Sequence, residues 1–186
     1  MRKLLCLFVM VTGITFGQET EFKLTKDGFT DYIVTECKDK TAAEMYKKTL
    51  DWISVTYKNP KEVIKAQIEN DYVRIEGASS SLICLNILGM KNCFDTKYQI
   101  EISFKEGKYK FDVIELQYYV APGQYTRGGW FPENFEKIDE YYNKKGEIKG
   151  RYKYYPETIP LYFNVTNTKL KEFILSESIP SKKSDW

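Results

Sequence analysis

A chain of 186 residues with 28 Lys and Arg against 26 Asp and Glu, and no histidine, is close to neutral and long enough for one domain around one core. Without imidazole it has no Ser-His-Asp triad, no Cys-His pair and no His-ligated metal. Its small charge gives no electrostatic pull toward nucleic acid or an anionic membrane.

Arg2 and Lys3 precede an apolar run over residues 4–16, which closes with Thr15, Phe16, Gly17 and Gln18. A basic start, a short apolar segment and small groups at Thr15 and Gly17 are the parts of a secretory signal peptide, read here as residues 1–17. A membrane span needs about 20 apolar residues, and Thr12, Gly13 and Thr15 interrupt this run. Cys6 follows Leu5 with too little apolar segment ahead of it for a lipoprotein signal. The protein is therefore expected outside the cytoplasm, in the periplasm, the cell envelope or beyond, with no transmembrane span in the mature chain. Loss of Arg2 and Lys3 leaves basic and acidic residues equal in number.

Residues 18–29 are polar and read as a loose N-terminal segment ahead of a single domain over residues 30–178. Alternation of Tyr32 and Val34 with Ile33 and Thr35 predicts a strand over residues 30–36. Thr41 and Glu44 have capping-box spacing, and Tyr46, Leu50, Ile53 and Tyr57 recur on one helical face widened by Met45 and Trp52. Asn59 and Pro60 stop that helix. Period-two alternation about a turn at Asn70 and Asp71 predicts a hairpin over residues 63–77, and Leu82 opens a more apolar run that reaches a turn at Gly89.

Residues 97–105 alternate most strictly, with Tyr98, Ile100, Ile102 and Phe104 on the dry face. After a turn at Glu106 and Gly107, the apolar phase runs through Tyr109, Phe111 and Val113, then slips to Ile114, Leu116, Tyr118 and Val120. A one-residue slip reverses every side chain, so a β-bulge is expected near Val113 and Ile114. Pro122, Gly123, Gly128 and Gly129 form a loop, and an inserted loop and helix are expected around residues 122–160. In that helix Pro132 would sit in the first turn, Gly146 just past the end, and Phe131, Phe135, Ile138 and Tyr142 on one face. A Tyr-rich connection over residues 152–162 leads to a last helix that buries Phe163, Leu170, Phe173 and Ile174, and residues 179–186 form a polar tail.

Strand, helix, four or more antiparallel strands and a C-terminal helix make an α+β order. The segments Ala43-Glu44-Met45-Tyr46 and Leu50-Asp51-Trp52-Ile53 carry a resemblance, together with the hairpin Asn70-Asp71-Tyr72-Val73-Arg74-Ile75-Glu76-Gly77 and the strands over residues 98–104 and 109–120. In these stretches the chain resembles the exported bacterial family called domain of unknown function 4468. That resemblance implies a TBP-like fold, a curved antiparallel sheet with helices packed on one face, and it carries no catalytic residue. TBP itself wedges aromatic rings into DNA, but export, neutrality and a single copy of the unit oppose nucleic-acid binding here, and fold does not transfer function.

Cys37, Cys84 and Cys93 lack the paired close spacing of a thiolate metal site, so no metal is expected. Cys84 and Cys93 are the nearest pair for a disulfide if the Gly89 turn joins their strands; three separate buried thiols are the simpler alternative. No phosphate loop, dinucleotide fingerprint or S-x-x-K serine is present, and no cofactor is expected. Glu133, Glu136, Asp139 and Glu140 gather negative charge and read as a solvated helix face, while Glu101 and Glu115 are candidates to face each other across the sheet. Tyr118, Tyr119, Tyr125, Trp130 and Phe131 concentrate rings beside a Gly-rich loop, where they can close the core or rim a binding surface.

Two functions compete on this reading. One is a non-enzymatic binding module for a small ligand, a glycan or an envelope protein, acting through the open sheet face or residues 118–131. The other is an acid/base hydrolase of envelope glycans that works with carboxylates alone. Two opposed carboxylates in a pocket would favour the hydrolase, and an exposed aromatic face the binding module.

Overall fold

The computed structural model describes residues 20–177; the expected signal peptide (1–17) and polar tail (179–186) lie outside the described residues. Strands β3 (Tyr32–Glu36), β4 (Ile64–Ile68), β5 (Tyr72–Ile87), β6 (Met90–Lys105) and β7 (Lys108–Val120) form one antiparallel sheet in the order β3-β7-β6-β5-β4. Strand β8 (Gly129–Pro132) also pairs with β7, on the edge that β3 occupies lower down. Helices α1 (Ala42–Thr56) and α3 (Tyr155–Leu175) cover one face, and α2 (Pro60–Val63) is a single turn. The helices thus pack on one side of an antiparallel sheet, the α+β arrangement expected.

The helix start at Thr41 forms as its spacing requires. Glu44 N–H donates to Thr41 Oγ1 at 3.2 Å, and Thr41 N–H donates to Glu44 Oε2 at 2.8 Å. The face buried by α1 is Met45, Tyr46, Thr49, Trp52 and Ile53. In β7 the register with β6 passes from Ile100↔Val113 to Gln99↔Glu115, so Ile114 is an extra residue and the bulge lies where the apolar phase slips. A second irregularity takes up Ser80, Ser81 and Leu82 between Ser79↔Thr96 and Ile83↔Phe94.

The long hairpin β5–β6 turns at Leu88 and Gly89, both at positive φ, as a two-residue turn needs to match strand twist. Just below it Cys84 faces Cys93 directly, Cα–Cα 4.0 Å, with their sulfurs bonded; Cys37 is a buried free thiol. The alternative of three separate thiols does not describe Cys84 and Cys93.

Three local expectations are corrected. Residues 20–29 are not loose, because the side chain of Phe22 is fully buried, stacked on Phe29 at 5.3 Å and edge-on to Phe111 and Phe163. Asn164 on α3 clamps the Phe22 backbone, donating to its carbonyl at 3.0 Å and accepting its N–H at 2.7 Å, and β1 (Leu24–Thr25) pairs with β2 (Gly28–Phe29).

The helix expected after Pro132 does not form. Residues 129–132 are strand β8, and a 3-10 turn at Ile138–Glu140 and a bridge between Tyr142 and Ile148 follow. Side-chain acceptors compete with helical bonds here: Asn134 Oδ1 takes the Glu136 N–H at 2.9 Å, and Asn143 Oδ1 takes those of Lys145 and Glu147. The last helix in turn starts earlier than expected, at Tyr155, and absorbs part of the Tyr-rich connection. Tyr155, Ile159 and Phe163 fall on one face and are fully buried, and that packing outweighs the bond lost at Pro160.

Candidate functional site

The last turns of α1 carry Trp52 and Thr56 and Tyr57 caps its end, while α3 carries Thr158, Leu161, Tyr162, Val165, Thr166 and Lys169 at helical spacing. Where the two helices diverge, these residues wall a groove of about 630 Å³ whose floor is Ala78, Ser81 and Tyr98 of the sheet. Three phenols meet at its base. Tyr162 donates to Tyr98 Oη at 2.8 Å, and Tyr57 Oη lies 3.3 Å from the same oxygen. Tyr98 is pressed down onto the sheet because its cross-strand neighbour is Gly77, which has no side chain to hold the ring away.

Burial pushes Tyr57 up to about 12, and it raises Tyr98 and Tyr162 further. All three hydroxyls stay protonated near neutral pH, so they donate and accept hydrogen bonds but supply no base. Glu157 is the carboxylate at this groove, Lys91 and Lys169 are its cations, and Leu161 on the rim is 57% exposed. An apolar wall over a hydroxyl floor is suited to holding an uncharged, partly polar molecule.

Residues 32–119 match the family described as "Domain of unknown function (DUF4468) with TBP-like fold". Through this stretch the chain is similar to that family. A crystal structure of a DUF4468 family protein from Bacteroides ovatus superposes with a TM-score of 0.60 at 13% identity, covering 84% of this chain and 90% of that one. A TBP-like protein from Parabacteroides distasonis gives a TM-score of 0.53 at 12% identity, over 77% of this chain and 90% of that one. These likenesses establish the TBP-like fold. No curated protein matches the chain.

The five rings singled out in the sequence do not form one surface. Tyr118 and Phe131 are cross-strand neighbours on the helix side of the sheet, 6.1 Å apart, and Tyr118 meets Phe94 edge-on at 5.7 Å. Tyr119 and Trp130 pair on the opposite face at 5.4 Å, with the Lys97 ammonium 4.4 Å above the Trp130 ring. Tyr125 stands apart at the loop tip, 91% exposed. The open face also carries three ion pairs, Arg74 with Glu101 at 2.8 Å, Lys65 with Glu76 and Lys110 with Asp112.

The carboxylates also separate. Glu101 lies across from Asp112 and Glu115 across from Gln99, so Glu101 and Glu115 do not face each other. Glu136, Asp139 and Glu140 are exposed, though on no α-helix: Glu136 lies in the irregular segment, and Asp139 and Glu140 on its 3-10 turn. Glu133 differs, since Tyr141 and Tyr155 each donate to one of its oxygens at 2.6 Å. Burial raises its pKa, and those two hydrogen bonds oppose the rise. With both oxygens held by buried phenols, Glu133 anchors the segment after β8 to the start of α3. Sequence spacing could not reveal the groove, because Tyr57, Tyr98 and Tyr162 are far apart in the chain; the available signal was tyrosine density at the start of α3.

Proposed function

We propose that the protein is a non-enzymatic binding module of the cell envelope or periplasm, taking a small ligand with an apolar face and hydroxyl groups, a glycan fragment being one such ligand. The observation that carries the reading is the groove between α1 and α3, about 630 Å³ in volume, with Leu161 and Val165 on its rim and the Tyr57, Tyr98 and Tyr162 hydroxyls at its base. That volume lies within the range of small-molecule sites, roughly 300–1,000 Å³. The signal-peptide pattern at residues 1–17 supports action after export. Among the described residues Glu157 is the groove's one carboxylate, so this groove offers no pair to a carboxylate-based hydrolase.

Native mass spectrometry of the protein purified from its own cells tests the reading. Wild type carries a defined extra mass that denaturation removes, and Leu161→Glu, which places a charge on the exposed rim, lacks it. Bare wild-type protein, or equal loading of Leu161→Glu, overturns the groove as the site.

A further inference from the structure

On the β6 side strand β7 is paired from Lys108 to Tyr118, interrupted only by the bulge at Ile114, but its other edge is shared by two short strands. Residues 108–112 pair with β3 and residues 117–120 with β8. Between them, residues 113–115 meet no strand on that edge among the described residues, and the Glu133 N–H to Leu116 carbonyl bond at 2.8 Å closes the upper end. The bulged residue Ile114 falls in this gap and is 42% exposed.

The gap opens into a notch of about 600 Å³. Its apolar lining comes from Phe29, Val113, Leu116, Phe135 and Ile138. Around these stand Asp27, Asp31, Asp112, Glu115, Glu133 and Glu136, and among the described residues neither Lys nor Arg lines the notch. Lys26 pairs with Asp27 and Lys110 with Asp112, while Asp31, Glu115, Glu133 and Glu136 have no ion pair among the described residues. No three acidic residues converge in a way that would hold a metal ion among the described residues. The chemistry on offer is therefore an open strand edge, an apolar floor and an excess of spread-out negative charge.

We propose that this notch docks a short extended segment of another protein that carries lysine or arginine. The segment adds as a strand against residues 113–115 of β7, filling the break between β3 and β8. At about 3.3 Å per residue it needs only three or four residues inside the notch. Side chains alternate across a strand, so an apolar residue enters the floor at Phe29, Phe135 and Ile138, and cationic neighbours reach Asp31, Glu115 and Glu136. Main-chain bonding supplies attachment, and the acidic rim selects the sign of the partner.

The test is fluorescence anisotropy of the whole chain from Gln18 with a labelled hexapeptide of alternating lysine and valine. Binding is expected to weaken about tenfold or more on raising salt from 50 to 500 mM, and by a similar factor in an Asp31→Asn/Glu136→Gln double variant. Methylating alternate peptide amides, which keeps the charge and removes the donors, is expected to abolish binding, as is Ile114→Lys at the exposed bulge. Leu161→Glu leaves binding unchanged, which separates this site from the groove. Equal binding of the methylated peptide shows a merely cationic attraction and overturns the proposal. So does equal binding of a control hexapeptide of alternating glutamate and valine, the absence of binding, or competition by self-association of the chain.

Discussion

Gly77 lies directly across from Tyr98, and the Tyr98 ring occupies the space where a side chain at position 77 would be. A Cβ built on Gly77 would fall 2.3 Å from both Cζ and Oη of that ring. Those are ring-end atoms, but they cannot swing aside freely, because Tyr98 Oη is bonded to Tyr162 and adjacent to Tyr57. Gly77→Ala is therefore expected to cost roughly 1–3 kcal/mol of overpacking strain, read as a lower urea midpoint. It should also displace the phenol at the groove floor and reduce the ligand mass retained in native spectra. An unchanged midpoint would show that Tyr98 has another place to go.

Leu88 occupies a left-handed turn position at φ 50° and is 93% exposed. A left-handed conformation costs an L-residue with a large side chain roughly 1–2 kcal/mol, and asparagine tolerates it better. Since Leu88 packs on nothing that would be lost, Leu88→Asn is expected to stabilise the β5–β6 hairpin by about 0.5–1 kcal/mol, read as a rise in melting temperature.

The Cys84–Cys93 bond closes a short loop around that same turn. Replacing both cysteines with alanine is expected to lose roughly 2–3 kcal/mol, with larger loss of order in the turn than at α1 by hydrogen exchange. In the chain from Gln18, alkylation before reduction should label Cys37 alone, and only after denaturation. Burial both shields that thiol and raises its pKa.

Glu133 sets a pH dependence whose sign follows from burial. Its pKa is raised in the folded chain, so the folded state holds this proton more tightly than the unfolded state does. Its contribution to stability is full below the ordinary glutamate pKa, about 4.3, and is lost as pH rises through the folded value. Glu133→Gln keeps partners for both phenols and is expected to flatten that fall, seen as the wild-type minus variant difference in unfolding free energy against pH. Glu133→Ala instead strands the buried Tyr155 hydroxyl and leaves Tyr141 only the Asn134 carbonyl, and is expected to cost roughly 1–3 kcal/mol at any pH tested.

Short-range features of the chain were legible residue by residue. Thr41 and Glu44 announce the start of α1, Asn70 and Asp71 the turn before β5, and the phase slip after Val113 the bulge at Ile114. Each depends on groups only a few positions apart, whose geometry the local backbone dictates, so spacing is sufficient information.

The segment from Gly129 to Tyr155 depended on distant partners instead. Its apolar spacing fits a helix, yet pairing with β7 and the clamp of Glu133 on Tyr141 and Tyr155 make it strand and turns. Phe22 likewise looks like part of a polar leader until Asn164 and Phe163 on α3 receive it. By itself the sequence determined the core of the main sheet from β3 to β7 and the first helix, the helix-covered sheet they imply, and the exclusion of histidine chemistry. Only the tertiary structure decided which tyrosines share a groove and where the edge of β7 is left open, because both follow from contacts between residues far apart in the chain, which no local periodicity encodes.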